Sequence, residues 1–134
     1  MYMMRILLAN DSAGTNRLFP LLEGHQVIAA ETLQEAQIAL GRQRFDLIIA
    51  GVHFDDSRAI ELLKYLREES NQKDTSFVFV RTRSSAFAES LKLTMKSLQK
   101  CYEFDGYVET DKLNEDDKRI RKALFSKLRE RHTA

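Results

Sequence analysis

The side chains able to do chemistry are thinly spread along this 134-residue chain. His25, His53 and His132 lie in unrelated stretches, and none has a second ligand at metal-binding spacing. Cys101 is the single cysteine, so it forms no internal disulfide and no thiolate metal cluster. A redox role for it would need Lys96 or Lys100 to stabilise a thiolate; a buried or merely tolerated thiol is the simpler reading. His53 has no third group to orient it as a base, and Asp55 and Asp56 read as caps of the helix that follows. What remains is a set of polar residues that each follow an apolar run: Asn10-Asp11, Arg81-Thr82 and Glu109-Thr110. A carboxylate, a guanidinium and hydroxyls brought together would suit either an internal ion pair or capture of a small anion or nucleotide.

The elements that must position these residues follow from the hydrophobic pattern. Apolar runs at 6–9, 27–30, 47–52, 77–80 and 107–108 predict five strands, the middle ones nearly continuous, as buried parallel strands require. Between them lie helical patterns. Thr32 and Glu35 are spaced as a capping box, and Gly41 is the expected C-terminal stop. Ile60, Leu62, Leu63 and Leu66 mark a third helix. Phe87, Leu91, Met95, Leu98 and Tyr102 step by four or three through a fourth, within a stretch from Ser84 to Phe104. A last helix is expected from Asn114, with Glu115, Asp116 and Asp117 in its first turn and Ile120, Leu124 and Leu128 on its buried stripe. Gly14 and Pro20 predict a first helix that is short or broken.

Five strand–helix pairs in alternation predict an α/β fold: a flavodoxin-like (βα)5 doubly wound parallel sheet of strand order 2-1-3-4-5. Ligands of such sheets bind at the C-terminal ends of the strands, which is where Asn10, Asp11, Gly51, Arg81, Thr82 and Thr110 fall. No internal repeat, low-complexity stretch or linker interrupts the chain, so residues 1–134 are expected to form one domain with no effector domain attached. With 43% hydrophobic and 31% charged residues and a net charge of +1, the composition is that of a soluble globular protein without bulk attraction to nucleic acid or anionic lipid. The first apolar run is interrupted by Arg5 and is too short to span a membrane, and a lone cysteine suits the cytoplasm.

The motifs RILLAND, FDLIIAGVHFDD, SFVFVRT and FDGYVETD, in this order and spacing, resemble the response-regulator receiver family (CheY-like) across nearly the whole chain. The resemblance implies a phosphoacceptor aspartate five residues after Asp46, a position that holds Gly51. It implies two acidic residues after the first strand, where the chain has Asn10 and Asp11. The family's switch Ser or Thr falls on Arg81 or Thr82, and its lysine on Thr110, followed by Asp111. Aspartyl phosphorylation needs a carboxylate nucleophile, a Mg²⁺ held by further carboxylates and a cation on the phosphoryl oxygens, and of these parts Asp11 alone is present.

The chain therefore reads as a degenerate receiver, or pseudo-receiver: a non-enzymatic phosphorelay module, free of cofactors including Mg²⁺. Arg81 is expected to pair with Asp11 in place of the metal. The resemblance implies a histidine kinase or another regulator as partner. A homodimer through the fourth helix, fifth strand and fifth helix is a further possibility, with Leu93, Tyr102, Tyr107 and Arg121 as candidate contacts. Flavin or nucleotide binding is the rival by fold, although the first loop, DSAGTN, is a poor phosphate cradle. The basic residues of the last helix, among them Lys118, Arg119, Lys122, Lys127, Arg129 and Arg131, could dock a partner or nucleic acid. Glu115 with Arg119 and Asp117 with Arg121 are spaced for pairs that would make it an ordinary solvated face, and nucleic-acid binding is not the expectation.

Overall fold

Apolar side chains alternate across five short strands, and that alternation divides the core in two. In the computed structural model, which describes residues 3–126 and 128, the strands are β1 (Arg5–Ala9), β2 (Gln26–Ala30), β3 (Leu47–Gly51), β4 (Ser76–Arg81) and β5 (Gly106–Glu109). All pair in parallel, in the order β2-β1-β3-β4-β5, as the alternation of elements predicted. Leu7, Ala9, Ile48, Ala50, Phe77 and Phe79 face one side; Ile6, Leu8, Leu47, Ile49, Val78, Val80 and Val108 face the other. The readings for Lys127, Arg129, Arg131 and His132 lie outside the described residues.

Helices α2 (Leu33–Arg42), α3 (Ala59–Glu68) and α4 (Ala86–Leu98) cover the first face through Ala36, Leu40, Leu62, Leu63, Leu66, Leu91 and Met95. Helices α1 (Ser12–Leu18) and α5 (Asp117–Phe125) cover the second through Leu18, Ile120 and Leu124. As expected, α1 is brief: it passes into a 3₁₀ turn, Phe19–Leu22, whose Pro20 lacks the N–H that a longer helix would use. Among the described residues no helix is long and apolar enough to cross a membrane.

Several helix ends differ from the expectation. The capping box of Thr32 and Glu35 is formed, but Gly41 lies inside α2, which ends at the extended Gln43. The buried Gln72 fixes that end: its amide donates to the carbonyls of Leu40 and Gln43 and accepts from Phe45 N–H at 2.8 Å. Helix α4 stops at Leu98, so the stretch to Phe104 adds a turn rather than more helix, and Phe87 is exposed rather than on the buried stripe. Asn114 and Glu115 take left-handed backbone, so α5 starts later than expected, with Asp116 as its cap and Asp117 in its first turn. Glu115 and Asp117 pair with Arg17 of α1 instead of with Arg119 and Arg121.

Candidate functional site

The chain leaves β1 at Ala9, and the next residue turns its side chain inward. Asn10 is 2% exposed, and its Oδ1 accepts from Asp11 N–H at 2.8 Å while its Nδ2 is buried without a hydrogen-bond partner. Its carboxamide lies between Gly14 of α1 and Gly51 at the end of β3. A Cβ on either glycine would approach it closer than the 3.0 Å that real Cβ atoms respect. Gly51 therefore does more than lack a nucleophile: it leaves the room that Asn10 fills. Gly14, read from the sequence as a helix breaker, is needed for the same reason. That three-residue fit was not visible in the sequence, because it joins three separate elements.

Asp11 caps α1, its Oδ1 accepting from Gly14 N–H at 2.8 Å, and its Oδ2 meets the guanidinium of Arg83 at 2.5 Å. Burial works to raise its pKa, but the Gly14 N–H and Arg83 outweigh burial and hold it below the usual carboxylate range. The cation beside Asp11 is thus Arg83, not Arg81 as expected. Arg81 is the last residue of β4 and sits in register with Glu109 of β5. Its side chain, 3% exposed, joins Glu109 at 2.5 Å and Asp111 at 2.7 Å. Arg83, past the end of the strand, is free to reach across the crevice.

Lys92 of α4 adds a second cation on Glu109, at 3.0 Å. Burial opposes ionisation of Glu109, yet Arg81 and Lys92 together hold its pKa below the ordinary value. Tyr107 places its buried hydroxyl beside this cluster; burial, then the Glu109 charge, push its pKa up against the opposing pull of Arg81. Thr110, 1% exposed, donates its hydroxyl to Glu115, while Thr82 stands half-buried just past β4.

His53 shares Ser85 Oγ at 3.0 Å, and burial followed by the Arg83 charge lowers its pKa. Asp55 does not cap the helix that follows it. Its carboxylate accepts from Leu33 N–H at 2.7 Å and so extends the cap of α2, while α3 has no side-chain cap. Asp55, Asp56 and Ser57 are three successive residues with left-handed backbone.

The candidate contact residues are not equivalent. Leu93 is 74% exposed, whereas Tyr102 donates to Glu68 and lies under Lys64 of α3, and Tyr107 is tucked against the core. Arg121 is held to the carbonyl of Leu21. Cys101 is exposed, not buried.

The donor set does not fit a magnesium ion. Asp11 is committed to a helix cap and a guanidinium, Asn10 Oδ1 to a backbone N–H, and Gly51 offers no side chain. Among the described residues no three His, Cys, Asp or Glu side chains group to hold a metal.

Sheet order, layering and the crevice at the strand ends together define the fold of response-regulator receiver domains, the CheY-like form of the flavodoxin-like architecture. The phosphorylated cyanobacterial phytochrome response regulator RcpA superposes with a TM-score of 0.70 at 18% identity, over 93% of this chain and 96% of that one. The signal receiver domain of an HD domain-containing protein from Pseudomonas fluorescens Pf-5 gives 0.70 at 20%, over 94% of each. The receiver domain of the sensor histidine kinase PA1611 from Pseudomonas aeruginosa PAO1, with magnesium in its active-site cleft, gives 0.60 at 16%, over 90% and 98%. No protein-family model matches the chain, and no curated protein matches it in sequence.

Proposed function

We propose that this chain is a cytoplasmic signalling module of the two-component type that acts through protein–protein contacts, without being phosphorylated and without binding Mg²⁺. The observation that carries this reading is the Asn10 carboxamide lodged against Gly51, where a phosphoacceptor side chain would have to begin. The pocket is closed from within, and Arg83 neutralises the remaining carboxylate, Asp11. With Arg81 tied to Glu109 and Asp111, and α4 tied to β5 through Lys92, the crevice is held in one arrangement by its own ion pairs. Output then passes through a face, not a covalent state. The α4–β5–α5 side, where Leu93 is exposed, is the face offered to a histidine kinase or another regulator.

Small-anion, flavin or nucleotide binding is disfavoured by the same details. Both guanidiniums of the crevice already meet carboxylates, and the Asp11 carboxylate stands at the N-terminus of α1, where it repels phosphate.

The test is incubation with a small phosphodonor, and separately with beryllofluoride, in Mg²⁺. Unchanged intact mass and unmoved amide resonances around Asp11 and Gly51 are expected. A phosphorylated wild-type chain overturns the proposal.

A further inference from the structure

The two margins of the sheet are unlike. On the β5 side, charged and polar groups crowd the margin, among them Glu109, Arg81 and Lys92. On the other side β2, Gln-Val-Ile-Ala-Ala, is an edge strand without a charged residue, and four of its five residues are exposed or half-exposed. Edge strands normally carry charges, proline or a bulge that prevents further pairing. None of these guards β2.

Hydrogen bonding fixes which backbone groups are free. Gln26 N–H donates to Met4 and Ala30 C=O accepts from Asn10, so Gln26, Ile28 and Ala30 bond inward to β1. By the alternation of a strand, Val27 and Ala29 point their N–H and C=O groups outward. An apolar groove flanks this edge on each face. On one, Ile28 lies with Ile38 and Ala39 of α2 in a groove of about 270 Å³ that Glu35 and Arg42 also line, one turn to either side along the helix. On the opposite face, Val27 lies with Phe19, Pro20 and Leu22 in a groove of about 300 Å³. Ile28, Ile38 and Phe19 are 39%, 46% and 52% exposed.

We infer that this edge is a self-association surface, on which a second copy of the chain pairs its own β2 antiparallel to the first across a twofold axis at Ile28. In that register Val27 of each copy faces Ala29 of the other, so the outward backbone groups form four hydrogen bonds. Ile28 meets its own counterpart at the closely spaced, non-hydrogen-bonded position, flanked by Ile38 from both copies. The charges fit the same axis. Ile38 and Ala39 lie midway between Glu35 and Arg42 along α2, and a twofold through that level reverses the groove, bringing Glu35 of one copy to Arg42 of the other. A heterologous partner strand would need no such symmetry in the charges; a second copy does. The result is a continuous ten-stranded sheet. It leaves the α4–β5–α5 face open, and it does not depend on whether the crevice is phosphorylated.

Sedimentation equilibrium of the full chain over a wide concentration range tests this. A monomer–dimer equilibrium is expected. Ile28→Lys, which sets two ammonium groups at the axis, and Ala29→Pro, which deletes an outward N–H that no intramolecular bond uses, each weaken it at least about tenfold. Arg42→Glu weakens it by a smaller factor, and Leu93→Lys on the far side leaves it unchanged. Circular dichroism verifies folding; if Ala29→Pro does not fold, the exposed Ile28→Lys decides. A chain monomeric at millimolar concentration, a dimer that survives Ile28→Lys, or one that is lost with Leu93→Lys instead, overturns the inference.

Discussion

At the scale of single residues, the site is a matter of volume before it is one of charge. Asn10, Gly14 and Gly51 occupy one space, and none can be altered without regard to the others. Gly51→Asp alone forces the Asn10 carboxamide out of a closed seat, which is expected to destabilise the fold by about 1–3 kcal/mol, the range for an overpacked interior. Asn10→Ala opens the seat, so Gly51→Asp introduced in that background should cost at least about 1 kcal/mol less. Urea unfolding of the two single variants and the double variant measures the coupling; additive effects would refute the shared seat. Gly51 was singled out in the sequence through the resemblance, as the position where a receiver would carry a carboxylate. Its fit to Asn10 was not legible there, because only folding brings the ends of β1 and β3 and the first turn of α1 together. The choice of Arg81 as partner of Asp11 failed for a related reason. A strand residue points as its register dictates, here toward Glu109, while the loop residue Arg83 has the reach.

At the scale of elements, local patterns located the helices, and distant side chains decided where they stop. The capping box of α2 is written in four adjacent residues and was readable. The other end of α2 is set by Gln72, thirty-two residues beyond Leu40, whose three hydrogen bonds satisfy buried carbonyls and an N–H. Gln72→Ala strands those groups and is expected to lower stability by about 2–3 kcal/mol and to raise hydrogen exchange at Gln43 and Phe45. Unchanged exchange there would show that α2 ends without it. The delayed start of α5 has the same origin. Arg17, about a hundred residues earlier, draws Glu115 and Asp117 to itself, and Thr110 holds Glu115 as well.

At the scale of the whole molecule, the order of the strands was recoverable from the alternation of apolar runs and helical stripes, since right-handed crossovers admit few parallel arrangements. That order puts β2 at an edge, but how far its side chains are exposed was not recoverable, because its sequence is as apolar as a buried strand's. Charge coupling across the crevice gives the molecule a common pH response. Asp11 and Glu109 titrate below their ordinary values of 3.8 and 4.5, so the stability they contribute is complete above those values and is lost as pH falls through the lower folded ones. His53 is also lowered, from 6.5; the unfolded chain takes up that proton first, so the decline begins near pH 6.5. Thermal unfolding should show Tm falling steadily from about pH 6.5 to pH 3, with the steepest loss in the carboxylate range. A Tm flat across that interval contradicts the coupling. The seat shared by Asn10 and the two glycines also bears on descent. A lineage that gained a carboxylate at position 51 while keeping Asn10 would cross a valley of reduced stability, so the path of lower cost to a side chain there changes position 10 first.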